Sequence, residues 1–146
     1  MNKPPWKPWR EVVSLREDLR TGELSLKIFA ADLYDVVMRE GPRVYYDPAL
    51  FFSLTYPTYA LRDLARDVML RLAGRSDKAI RQLELTYGGG KTHTLITMFH
   101  LANNPATLPD LPSVGEFISH IGIPPPRARI AVLSFCLLYT SDAADE

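Results

Sequence analysis

The stretch Thr86 to Thr94, TYGGGKTHT, sets three consecutive glycines directly before a lysine and a threonine. Residues of those types at that spacing suit the binding of a nucleoside triphosphate. Glycine has no Cβ, so the backbone can curl until successive N–H groups converge on an anion. A helix opening at the lysine would add its unpaired N–H groups and the positive end of its dipole at the same point. In that arrangement Gly88, Gly89 and Gly90 wrap the phosphates, and Lys91 reaches the β- and γ-phosphates as a mobile point charge. The Thr92 hydroxyl then ligates Mg²⁺, and His93 completes the set expected to contact the nucleotide. One departure stands out: Leu85 occupies the place of the first glycine in the pattern G-x-x-x-x-G-K-[ST]. Gly88 and Gly89 offer the same backbone freedom three residues later. The bland alternative is a flexible turn before a helix that happens to begin with lysine. A turn needing one glycine gains little from two more, since each loses extra conformational entropy on ordering.

Such a loop needs a strand before it and a helix after it. Ile80 to Tyr87, IRQLELTY, is short and ends in glycines, which predicts a strand. From Lys91, Leu95, Met98, Phe99 and Ala102 share one helix face, and Asn103-Asn104-Pro105 stops it. Farther on, Ser113 and Glu116 form the S-x-x-E pattern of a capping box, opening a helix that ends at Gly122. Beyond Pro124 to Pro126, the run Ile130 to Phe135 predicts a buried parallel strand beside the first.

The first half reads as helical. Glu11 to Arg20 predicts a short helix ended by Thr21-Gly22, and Ser25 caps another whose face is Leu26, Phe29, Ala30, Leu33 and Val37, ending at Gly41-Pro42. Asp47-Pro48 is an N-cap followed by proline at the first helical position, opening a brief helix before Tyr56-Pro57. Leu61, Leu64, Ala65, Val68 and Leu72 repeat the face pattern up to Gly74. Tyr45, Tyr46, Phe51, Phe52 and Tyr56 are expected to pack in a core, because no basic groove is interleaved with them. His93 and His100 nearly share a helix face but have no third ligand in the pattern, which favours structural or solvent-facing roles over a metal site; His120 is alone. The expected fold class is thus α/β, a truncated P-loop core (strand, loop, helix, strand) over residues 76–135, preceded by a mainly helical region over 1–75.

Composition places the chain among ordinary globular proteins: 146 residues, 47% hydrophobic and 23% charged, with a formal charge of zero. Zero charge gives no argument for nucleic acid or an anionic membrane surface. No apolar run approaches the roughly 18 residues of a membrane span, and the start lacks the apolar core of a secretory signal, so no membrane partner and a cytoplasmic location are expected. Cys136 to Glu146, CLLYTSDAADE, resembles the translated read-through of a sequencing adapter. On that reading the biological sequence stops at Phe135 as a truncated piece, the sole cysteine Cys136 has no redox meaning, and a small basic excess remains. The alternative for this segment is a strand running on through Leu138 into an acidic tail.

The segments KPWREVVSLREDLRTGELS, FAADLYDVV, FFSLTYPTYALRDLARDV and GGGKTHTL together resemble the N-terminal part of the AAA+-type P-loop ATPases grouped as domain of unknown function 499, over most of Lys7 to Phe135. The resemblance implies that GGGKT is a Walker A loop despite the missing leading glycine, that the nucleotide is ATP, and that the parent is large and can form homo-oligomeric rings. It also calls for a Walker B acidic pair, a sensor and an arginine finger, none of which is identifiable in this stretch. Asp110 and Glu116 precede the last expected strand instead of ending it. The expectation is an ATP-binding segment without its own hydrolytic machinery. The alternatives are a P-loop small-molecule phosphotransferase and a helical interaction module. Tyr56 to Thr58 could border an adenine pocket by analogy with related ATPases, but a helix cap at Thr58 is the simpler reading.

Overall fold

The computed structural model describes residues 6–22, 31–84, 88 and 90–133. The chain divides after Ala30 into two compact units. In the first, α1 (Trp9–Val12) and α2 (Glu17–Thr21) replace the one helix expected over Glu11 to Arg20. Gly22, at φ 74°, provides the expected left-handed exit.

The second unit holds α3 (Leu33–Met38), α4 (Arg43–Tyr46), α5 (Pro48–Leu54), α6 (Tyr59–Leu72), α7 (Lys91–Asn103), a 3₁₀ turn (Pro105–Thr107) and α8 (Pro112–Ile121). Local capping chemistry sets several of these boundaries. The Asp47 carboxylate accepts from the N–H groups of Ala49 at 2.9 Å and Leu50 at 3.3 Å, with Pro48 behind it as expected. Thr58 caps α6 by accepting from the Leu61 N–H at 3.3 Å, and Gly74 follows its end at φ 71°. The helix over Leu33 to Met38 starts later than the expected Ser25, because Asp32 is extended and its carboxylate accepts the Tyr34 N–H at 2.7 Å. Ser25 itself lies outside the described residues. At the other end of α3 the chain turns through Arg39 at φ 58°, a left-handed conformation unusual for a side-chain-bearing residue.

The capping box at Ser113 and Glu116 does not form. Leu111 is the N-cap of α8 and no side chain caps it. The Ser113 hydroxyl donates to the Phe52 carbonyl at 2.7 Å instead, and Glu116 accepts from Arg62 of α6 at 3.0 Å. Both polar groups thus serve contacts between helices.

The α/β expectation is overturned: the described residues form helices and no strand. Ile80 to Glu84 and Ile130 to Leu133 have no strand partner, and Leu85 to Tyr87, Ser134 and Phe135 fall outside the described residues. A strand is stable only when neighbours satisfy its N–H and C=O groups and one face is buried. Ile80 is 85% exposed and Leu133 80% exposed, so neither run buries such a face. Arg81 in the first run pairs with Asp67 of α6, and two residues ahead of the second run the Ala128 N–H donates to the Ala102 carbonyl at the end of α7 at 2.9 Å.

The core sits where α6, α7 and α8 meet α5. Met69, Ile96, Leu101 and Phe117 are completely buried, and the Phe51, Phe52 and Phe117 rings step edge to face at 5.4 and 5.9 Å. Of the expected aromatic core residues, Phe51 and Phe52 are buried and Tyr45 and Tyr46 partly so, whereas Tyr56 is exposed. Among the described residues no helix is long and apolar enough to cross a membrane.

Candidate functional site

Gly88 and Gly90 both adopt left-handed backbone conformations, φ 76° and 82°. A side chain there would be strained by the backbone alone, so glycine is the residue the turn requires. Gly89 lies outside the described residues. Gly90 is the N-cap of the thirteen-residue α7, and no side chain caps that helix start. Its carbonyl receives both the Thr94 N–H and the Thr94 hydroxyl at 2.9 Å, which fixes the turn to the first coil of the helix. Lys91 is the first helical residue and is exposed.

Thr92 is half-buried and opens onto a cleft of about 240 Å³ shared with Asp32, Leu95, Val132 and Leu133. His93 turns the other way. Its Nε2 lies 3.1 Å from the Thr55 hydroxyl, and its ring stacks on Phe51 at a centroid distance of 4.6 Å and a 31° tilt. His100, two turns on, follows the same face: its Nε2 donates to the Tyr45 carbonyl at 2.7 Å, and its ring lies 5.1 Å from Phe51. The structure therefore groups Gly88, Gly90, Lys91 and Thr92 at the helix start and sends the His93 side chain into the core. Among the described residues no group of three or more His, Cys, Asp or Glu side chains is placed to hold a metal.

Burial pushes the pKa of both histidines below 6.5; for His100 the Tyr45 carbonyl and the charge of Asp47 act in the opposite sense. A histidine whose folded pKa is lowered leaves the unfolded chain with more bound protons, so stability rises with pH. The contribution is complete above the unfolded value of 6.5 and declines as pH falls below it. The melting temperature, followed by far-UV circular dichroism, should therefore drop on acidification from pH 7 to 5.5. That drop should be smaller in a His93→Gln, His100→Gln double variant.

Two residues near the site escape sequence reading. Asp32 is partly announced by its N-cap pattern before Leu33, although nothing places it beside Thr92. Thr55 carries no sequence signal, since its partner His93 is 38 residues away.

The model of the DUF499 N-terminal domain matches residues 9–123. The chain belongs to the DUF499 N-terminal domain family. The match covers α1 to α8, with the glycine turn and Thr55 inside it. No curated protein and no solved structure matches the chain.

Proposed function

We propose that this DUF499 chain binds the triphosphate of Mg-ATP at the start of α7, as part of an AAA+-like ATPase. The observation that carries the reading is the pair of left-handed glycines, Gly88 and Gly90, set immediately before an uncapped thirteen-residue helix whose first residue is Lys91. First-turn N–H groups that have no intrahelical acceptor and the helix dipole favour an anion, and Lys91 adds a full positive charge at the same end. The anchor in this proposal is the turn and its helix, without a strand. Mg²⁺ arrives with the nucleotide, and Thr92 offers its hydroxyl beside the cleft it shares with Asp32. Bound ATP would stabilise the fold in proportion to the logarithm of its concentration over Kd. The test is a thermal melt of the chain with and without millimolar Mg-ATP, with Mg-AMP as control. A rise with ATP alone supports the reading, and superimposed curves reject it.

The absence of a sheet among the described residues favours a second reading, a helical interaction module whose glycine turn serves only to enter α7. That reading expects no nucleotide-dependent shift, so the same melt separates the two.

A further inference from the structure

We propose that His93 is a positioning residue: through Thr55 it braces the first turn of α7 against the end of α5, and so holds Lys91 and Thr92 where phosphates would be received. The inference rests on the phosphate-site reading and adds a residue whose side chain faces away from the ligand.

The direction of each hydrogen bond follows from counting protons. The Thr55 hydroxyl has one, and it is donated to the Phe51 carbonyl at 2.8 Å. The hydroxyl oxygen is left as an acceptor, so His93 Nε2 must carry the proton in the 3.1 Å contact. The chain of bonds therefore runs from His93 to Thr55 to Phe51, each donor used once. Thr55 is the C-cap of α5 and is itself buried, 5% exposed. Its helix is fixed at the other end by the Asp47 cap and along its length by Phe51 and Phe52, both nearly inaccessible. The His93 ring lies on Phe51, so imidazole and helix meet by packing as well as by hydrogen bond. From the α7 side, the Thr97 hydroxyl donates to the His93 carbonyl at 2.9 Å, and the Thr94 N–H and hydroxyl close on Gly90. The turn that presents Lys91 is tied to its own helix at Gly90 and to a distant helix at His93.

A glycine turn has little stiffness of its own, because left-handed and right-handed conformations cost glycine about the same. Preorganising it takes an external contact, and misplacement of a charged group by about 1 Å is enough to weaken a polar site severely. The imidazole supplies that contact without occupying space on the phosphate side.

The test measures Mg-ATP affinity by isothermal titration for the 146-residue chain and its His93→Ala, His93→Gln, Thr55→Val and His93→Ala/Thr55→Val variants. Native-state hydrogen exchange at the Thr94 amide, read without nucleotide, accompanies it. The glutamine amide can place an N–H donor near the position of Nε2, so His93→Gln should bind within about threefold of wild type. His93→Ala and Thr55→Val should each weaken binding about tenfold, the loss of one well-placed hydrogen bond, and the double variant should be no weaker than either single one. Exchange at Thr94 should quicken in His93→Ala and recover in His93→Gln. Wild-type affinity in His93→Ala, a glutamine variant no better than alanine while still folded, or strictly additive losses would each overturn the brace. If the wild-type chain binds no Mg-ATP, the phosphate site fails, and with it the role assigned to His93. Altered Thr94 exchange would then mark a purely structural contact.

Discussion

If the chain binds Mg-ATP as proposed, Lys91→Ala is expected to erase the rise in melting temperature that the nucleotide would give the wild-type chain, while leaving the ligand-free melt within a degree or two. At a ligand concentration of about 100 times Kd, binding stabilises the folded state by roughly 2.7 kcal/mol. For a domain near 150 residues that is a shift of roughly 5–10 °C. The expected effect of the substitution is large because one side chain would supply the full charge at the head of α7, where a bound phosphate would otherwise meet only backbone N–H groups. The ligand-free fold should be little changed, since Lys91 is exposed and alanine is a better helix former than lysine. A wild-type shift that survives Lys91→Ala would place the nucleotide elsewhere.

Phe117→Ala carries the largest expected cost to stability. Phe117 is completely buried on α8, with its ring against the edge of Phe52 at 5.9 Å, and α8 packs mainly on α6. Truncating such a ring removes its transfer free energy and leaves a cavity, together about 3–5 kcal/mol. Domains of this size have about 5–15 kcal/mol in all, so the urea midpoint should fall by roughly a fifth or more. The neighbouring Ile118 is 38% exposed, and Ile118→Ala should cost clearly less. Equal losses at both positions would mean that α8 does not present the face described.

Where the sequence spoke clearly, the instruction was local. Asp47 followed by Pro48, Thr58 before α6, Gly74 after it and Gly122 after α8 each act on backbone groups a few residues away, and each does so in the structure. The glycines before Lys91 were equally legible, because the φ values of 76° at Gly88 and 82° at Gly90 are ones that glycine permits. The expected strands and the capping box failed because their outcome depends on distant partners. Ile130 to Leu133 has the apolar content of a strand, but apolar content does not supply the neighbouring backbone a strand must pair with. Ser113 and Glu116 have the spacing of a capping box, yet Phe52 and Arg62, more than fifty residues earlier, offer the hydroxyl and the carboxylate other partners. The Thr55–His93 contact is the same lesson in reverse: a bond behind the candidate site with no trace in local pattern.

Both tryptophans of the chain, Trp6 and Trp9, belong to the unit that ends at Ala30, and they are 84% and 76% exposed. Indole emission from this protein should therefore be red-shifted already in the native state. The unit from Ala31 onward carries tyrosine but no tryptophan, so its own transitions are read through amide absorption and tyrosine signals, and an indole introduced at Tyr45 or Tyr46 would report on it directly.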